Sequence, residues 1–203
     1  MPYDFAYLQR RLSERIAQPD RVDALDKEIW DQLGENRAIL VSDMSGFTRL
    51  TKKRGILHFL AMHYQGVTLV TPVIGAHAGT PVKAEADNTI STYASPDQAA
   101  RCAIAVQRRL SEHNATVADP DARIFFCIGI GYGRVLHMTD DIFGDEVNVA
   151  YKLGEDIAKS GEILVSESAR DAIRAVTDEF QFGERLLIAA GSAEIPYFRL
   201  NWD

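Results

Sequence analysis

The hydrophobic pattern of this chain predicts an α+β fold with a ferredoxin-like βαββαβ core behind two short N-terminal helices. Three observations carry that prediction. From Ile39 onward the periodic segments alternate as strand, helix, strand hairpin, helix, strand, which is the order of such a core. Residues 124 to 130, Ile-Phe-Phe-Cys-Ile-Gly-Ile, form an apolar run of strand length and read as a buried strand. Ahead of Ile39, apolar residues recur at helical spacing instead.

The elements follow in order. Phe5, Leu8, Leu12 and Ile16 mark a first short helix, Pro19-Asp20 interrupts it, and Val22, Leu25, Ile29 and Leu33 mark a second. About 36 residues make too small a core to stand alone. Residues 1–36 are therefore read as an N-terminal helical extension packed on the body or on a dimer mate, and residues 37–203 as one globular domain. The first core strand ends at Asp43, and a turn through Ser45-Gly46 leads into a short helix over residues 47 to 53. Leu57, Leu60, Tyr64, Val67, Val70 and Ile74 mark a long helix with a bend expected at Pro72. Val82 to Asp87 is a β-like run that places Asp87-Asn88 at a hairpin turn; Ala99, Cys102, Ala103, Val106 and Leu110 mark the next helix.

Composition narrows the function classes. The net charge is −7, which argues against a nucleic-acid partner because such a partner demands a basic face. The one basic run, Arg49, Lys52, Lys53 and Arg54, reads as a solvated helix end. Cys102 and Cys127 lie far apart in apolar stretches and read as buried free thiols, with no structural zinc. His58 and His63 are five apart, so they do not share a helical face, and structural roles are expected for the histidines. With no signal-peptide pattern and no apolar run near the ~20 residues that span a bilayer, a cytoplasmic protein with no membrane partner is expected.

Chemistry concentrates in three stretches. Asp43 and Asp87 each close a strand-like run, so rigid elements carry both carboxylates. Two such groups suit a pair of hard divalent cations, Mg²⁺ or Mn²⁺, whose remaining positions go to substrate phosphates. The turn Met44, Ser45, Gly46, Phe47, Thr48 opens a helix there, and free backbone N–H groups at a helix start favour an anion. In the third stretch, Asp141 to Lys152, Asn148 and Lys152 are four residues apart on one helical face, an amide beside a cation fit for a ribose and a phosphate.

These stretches resemble the class III nucleotidyl cyclases, the adenylate and guanylate cyclase catalytic domain. The likeness rests on the strand-ending Asp43 with Gly46-Phe47-Thr48, and on a Lys-x-x-Gly-Asp hairpin matched from Lys83 to Asp87 with Ala86 in the glycine position. An Asp-x-x-Gly-x-x-Val-Asn-x-Ala-x-Arg stretch is matched from Asp141 to Lys152 with lysine ending it, and Gly-Glu-Ile-Leu-Val-Ser stands at residues 161 to 166. The resemblance covers roughly residues 37 to 200. It implies that residues 37–203 are a cyclase catalytic domain, an adenylate cyclase-type phosphorus-oxygen lyase turning ATP into 3′,5′-cyclic AMP and pyrophosphate. It further implies two metals per active site on Asp43 and Asp87, phosphate binding by the turn from Met44 to Thr48, base readout by Lys83 and Asp141, and catalytic roles for Asn148 and Lys152. Lysine with aspartate is the adenine-type pair of the family, and the implied assembly is a homodimer with two shared active sites.

Three positions depart from the family pattern. The arginine before the Ile-Gly-Ile strand is Cys127, the helix arginine is Lys152, and the C-terminal phosphate lysine has no counterpart among residues 187 to 192. Lysine keeps the charge of arginine and loses its planar two-bond fork. Two other functions compete: a cyclase for GTP or a pyrimidine triphosphate, and a non-catalytic nucleotide-binding regulatory module. Residue by residue, Asp43 also reads as a helix cap, Asp87 as a turn former, Glu85 as a neutralising partner of Lys83, and Glu155 and Asp156 as solvated helix charges.

Overall fold

The computed structural model describes residues 3–85, 88–190 and 193–202. The predicted βαββαβ core is present. Strand β1 (Gly34–Met44) is followed by α3 (Phe47–Arg54) and α4 (Ile56–Ala76), the strands β2 (Thr80–Glu85) and β3 (Asn88–Tyr93), helix α5 (Pro96–Thr116) and strand β4 (Phe126–His137). Strands β2, β3, β1 and β4 lie side by side in that order, all neighbours antiparallel. The sheet continues beyond β4 through β6 (Ile163–Ser166), β8 (Ala193–Arg199) and β7 (Leu186–Ala190), and a two-residue strand, β5 (Ile142–Phe143), pairs with the end of β4.

Ahead of the core stand α1 (Phe5–Ala17) and α2 (Val22–Leu33). They pack on the body: Leu8, Ile29 and Leu33 are buried together with Met138, just past β4. Strand β1 starts at Gly34 rather than near Ile39, and β4 runs on to His137. Both extensions are polar or mixed in sequence and carry no apolar run; their pairing with each other, Gly34 opposite Leu136, creates them.

Alternation along β1 sorts the two faces of the sheet. Ala38, Leu40 and Met44 point into the main core with α4 and α5, while Ile39 and Val41 point to the opposite face with Ile90, Val135, Val147 and Ala150. That second face is covered by α6 (Asp145–Tyr151) and a π-helical turn, Lys152–Ile157. Glycine makes the close approach possible. A Cβ on Gly129 would stand 2.1 Å from the Ala150 carbonyl oxygen, and one on Gly131 would stand 2.3 Å from that of Glu146.

The basic run of α3 is exposed, as expected of a solvated helix end, and three of its four cations also share a partner. Arg49, Lys53 and Arg54 converge on the Asp121 carboxylate at 2.9, 2.6 and 3.2 Å, and Arg54 also reaches Asp119. The side chain of Asp121 is only 8% exposed, so three cations compensate a carboxylate that burial alone would penalise. The Lys53 ammonium, with Arg49 and Arg54, holds it down at about 2. Both cysteines are buried free thiols. Burial raises Cys102, which accepts a hydrogen bond from the Tyr93 hydroxyl, and burial beside Asp43 and Glu162 pushes Cys127 up to about 12.

Candidate active site

Asp43 occupies the penultimate position of β1, half-buried on the face that α6 covers. Across the sheet its partners are Cys127 on β4 and Asn88 on β3. Asp87, the other expected metal ligand, lies outside the described residues, as does Ala86. A half-buried carboxylate on a rigid strand end is a hard oxygen donor of the kind a divalent cation takes. Among the described residues no group of three or more histidine, cysteine, aspartate or glutamate side chains gathers as a metal site.

Beyond Asp43, Met44 buries its side chain in the main core, and the Ser45 N–H donates to the Phe125 carbonyl at 3.0 Å. The Ser45 and Ser160 hydroxyls are 2.7 Å apart. Gly46 takes φ +96°, a left-handed conformation that favours glycine, and starts α3 with no side-chain cap on its first amides. Phe47 and Thr48 follow, both exposed.

Lys83 and Asp141, far apart in sequence, are brought together. The Lys83 Nζ stands 3.1 Å from Asp141 Oδ1. A β-bulge explains the direction of Lys83: the pairing register shifts between Pro81 and Lys83, so Lys83 rather than Val82 stands opposite Ile90, on the face shared with Val41 and Asp43. No residue pattern on the strand announced that bulge. Asp141 also accepts the Ile142 N–H at 2.9 Å, which fixes its carboxylate just before β5.

Asn148 is exposed on α6, whose Val147 and Ala150 are buried against the sheet. Lys152 begins the π-helical turn and pairs with Asp156 at 3.2 Å. Asp156 is therefore engaged rather than merely solvated. The same holds for Glu155, which accepts from the Asn88 amide and so ties the π-turn to the start of β3. Two further groups were not singled out from sequence. Glu146 accepts from the Tyr132 N–H at 3.1 Å and the Ser166 hydroxyl at 2.8 Å, which anchors α6 to β4 and β6. His137 lies 2.6 Å from Glu35, whose carboxyl burial would raise but which Arg37 and His137 hold down. Its contact is with a residue 102 positions earlier, beyond any local pattern.

The profile of the adenylate and guanylate cyclase catalytic domain matches residues 31–197. The structure superposes on an adenylate/guanylate cyclase/hydrolase from Silicibacter pomeroyi with a TM-score of 0.73 at 28% identity, covering 82% of this chain and 96% of that one. In sequence the chain is 26% identical over 149 residues to an adenylate cyclase of Streptomyces coelicolor, covering 73% of this chain and 36% of that protein. It is 31% identical over 133 residues to the uncharacterized protein Rv2212 of Mycobacterium tuberculosis, covering 65% and 33%. The chain thus spans about a third of the length of each of these two relatives.

Proposed function

This chain belongs to the adenylate and guanylate cyclase catalytic domain family, and we propose that it converts ATP to 3′,5′-cyclic AMP and pyrophosphate as a homodimer with two shared active sites. The observation that carries the choice of ATP is the Lys83–Asp141 pair at 3.1 Å. Adenine offers an exocyclic amine as donor and ring nitrogens as acceptors, so a carboxylate beside an ammonium complements its edge. Guanine reverses part of that pattern.

Asp43, with Asp87, would hold two divalent cations, Mg²⁺ or Mn²⁺. Bound there, such cations lower the pKa of the ribose 3′-hydroxyl and neutralise charge on the departing pyrophosphate. The chain's own groups do the rest. The first amides of α3, from Gly46 to Thr48, receive the terminal phosphates, and the turn from Met44 sets their place. Asn148 holds the ribose so that O3′ faces the α-phosphorus in line with the bond to the leaving oxygen. Lys152 offers positive charge to the α-phosphate as the O3′–P bond forms and the bond to pyrophosphate breaks.

A dimer is supported by α4. Leu57 and Tyr64 are 78% and 74% exposed, with Ile56 and Leu60 beside them, an apolar surface that a second copy would bury. No helix among the described residues is long and apolar enough to cross a membrane.

The test is incubation of the protein with each of four nucleoside triphosphates and Mg²⁺ or Mn²⁺, with products identified by mass. Cyclic AMP is expected as the main product. A cyclic product from GTP or a pyrimidine triphosphate alone would reassign the base, and no cyclic product at all would sink the enzyme. A nucleotide-binding regulatory module would then remain, read out by nucleotide-dependent thermal stabilisation. The Lys152–Asp156 pair favours that second reading, since it spends phosphate-side charge inside the chain.

A further inference from the structure

The segment over residues 138–143, which carries Asp141, is fastened to the N-terminal helix pair. Asp140 accepts the backbone N–H of Phe5 at 2.8 Å. Phe5 is the first residue of α1, and the first amides of a helix have no partner within it, so Asp140 caps α1 from 135 positions further along the chain. Its carboxylate also meets the positive end of the helix dipole. The Thr139 N–H donates to the Tyr3 carbonyl at 2.9 Å, and the Thr139 hydroxyl reaches the same oxygen at 3.3 Å. The Phe5 ring packs on Phe143 with centroids 5.6 Å apart, and Met138 is buried against Leu8, Ile29 and Leu33. Within the segment, the Met138 N–H donates to the Asp141 carbonyl at 2.9 Å.

We propose that the N-terminal helix pair is the positioning element of the base-reading carboxylate: Asp140 and Thr139, gripped by residues 3 to 5, hold the loop so that Asp141 faces Lys83. The proposal rests on the reading of Lys83 and Asp141 as base contacts, and adds that base affinity is set from outside the catalytic core. Asp43 hangs on the β1–β4 ladder and not on this clasp. Loosening the clasp therefore weakens nucleotide selection while leaving the chemical step intact. Next to the clasp lies a cavity of about 460 Å³ lined by Phe5, Leu8, Ile29, Trp30, Leu136 and Phe143.

The test compares the whole chain with Asp140→Ala, Asp140→Asn and Asp141→Ala in steady-state kinetics on ATP and GTP. Asp140→Ala should raise KM for ATP about tenfold and narrow the ATP-to-GTP ratio, with kcat within about twofold of wild type, the pattern of lost binding shared by ground and transition states. Asp140→Asn keeps an oxygen acceptor for the Phe5 N–H and should restore most of the loss. Should Asp140→Ala prove too unstable to assay, Phe143→Leu removes the ring contact alone and should shift KM in the same direction. If Asp141→Ala alters selectivity but the clasp variants do not, the positioning role is overturned and base reading stands. If Asp141→Ala changes nothing either, base reading falls and the clasp goes with it. A fall in kcat at constant KM in Asp140→Ala would also overturn the proposal, because it would tie the loop to the chemical step.

Discussion

Asp43 and Asp141 are both carboxylates of the candidate site, one on the sheet and one just outside it, held in place in opposite ways. Asp43 sits inside a continuous antiparallel ladder, with Cys127 on one side and Asn88 on the other, so backbone pairing on both sides sets its place. Asp141 lies beyond the end of β4, where regular pairing has shrunk to the two residues of β5, and side chains and the N-terminal segment hold it instead. The difference separates two tasks. The end that would carry metal and phosphate is built from the rigid part of the fold, whereas the end that would choose the base hangs on contacts that can be loosened without unfolding the sheet.

The comparison is broken most sharply at Asp43. Asp43→Ala should leave the circular dichroism spectrum and melting behaviour close to wild type and reduce turnover roughly a thousandfold or more, the loss of several kcal/mol of transition-state stabilisation. A variant that keeps a tenth of normal turnover would remove Asp43 from the metal site.

A second experiment asks whether the two ends that meet on one nucleotide come from one chain or two. Asp43→Ala and Asn148→Ala proteins, each inactive alone, should complement when subunits exchange, because one site of a mixed dimer carries both lesions and the other neither. Random pairing returns about a quarter of wild-type activity. No recovery despite demonstrated exchange would mean that both residues act from the same chain or that the site assignment is wrong.

The rigid half is probed at Gly129. An alanine there brings a Cβ to 2.1 Å from the Ala150 carbonyl oxygen, so α6 must move. Overpacking of this kind costs ~1–3 kcal/mol. Thermal unfolding should show a melting temperature lower by roughly 2–4 °C for each kcal/mol lost. Unchanged melting would mean that α6 yields freely and does not hold Asn148 in place.

The smallest effect concerns acid. The carboxyl of Asp121 is held down to about 2 by Lys53, Arg49 and Arg54, against about 3.9 in an unfolded chain. A depressed carboxylate contributes stability that is fully present above the unfolded value and is lost as pH falls through the folded one. Melting temperature should therefore drop between about pH 4 and pH 2, and Asp121→Asn should flatten that part of the profile. An identical acid limb in the variant would show that the three cations do not stabilise the fold through this carboxylate.

The sequence made the rigid half easier to read than the adjustable half. Apolar alternation in β1 and the run around Ile128 record the sheet directly, because burial selects residue type position by position. The helices α4 and α5 were legible from their 3.6 periodicity for the same reason. What lies on the loop side has no such record. The Phe5–Asp140 cap and the His137–Glu35 contact join positions remote in the chain, and the bulge that turns Lys83, though local to a hairpin, uses residue types that are equally at home on a surface. The basic residues of α3 are a related case: composition shows charge at an exposed helix end, while only the fold shows that Asp121 stands among them.

The two cysteines bear on how these experiments are done. Cys102 and Cys127 are the whole thiol complement of the chain, and both are buried with their ionisation pushed upward, Cys127 to about 12. Since the thiolate is the reacting form, maleimides at neutral pH should leave both alone in the folded protein. The wild-type chain is thus already a blank background for site-specific labelling. One cysteine introduced on an exposed position of α1, and another on α7 (Glu167–Arg174), would carry a donor and an acceptor dye without removal of either native residue. Energy transfer between them would then follow movement of the N-terminal helices, and singly labelled subunits would report exchange between dimers.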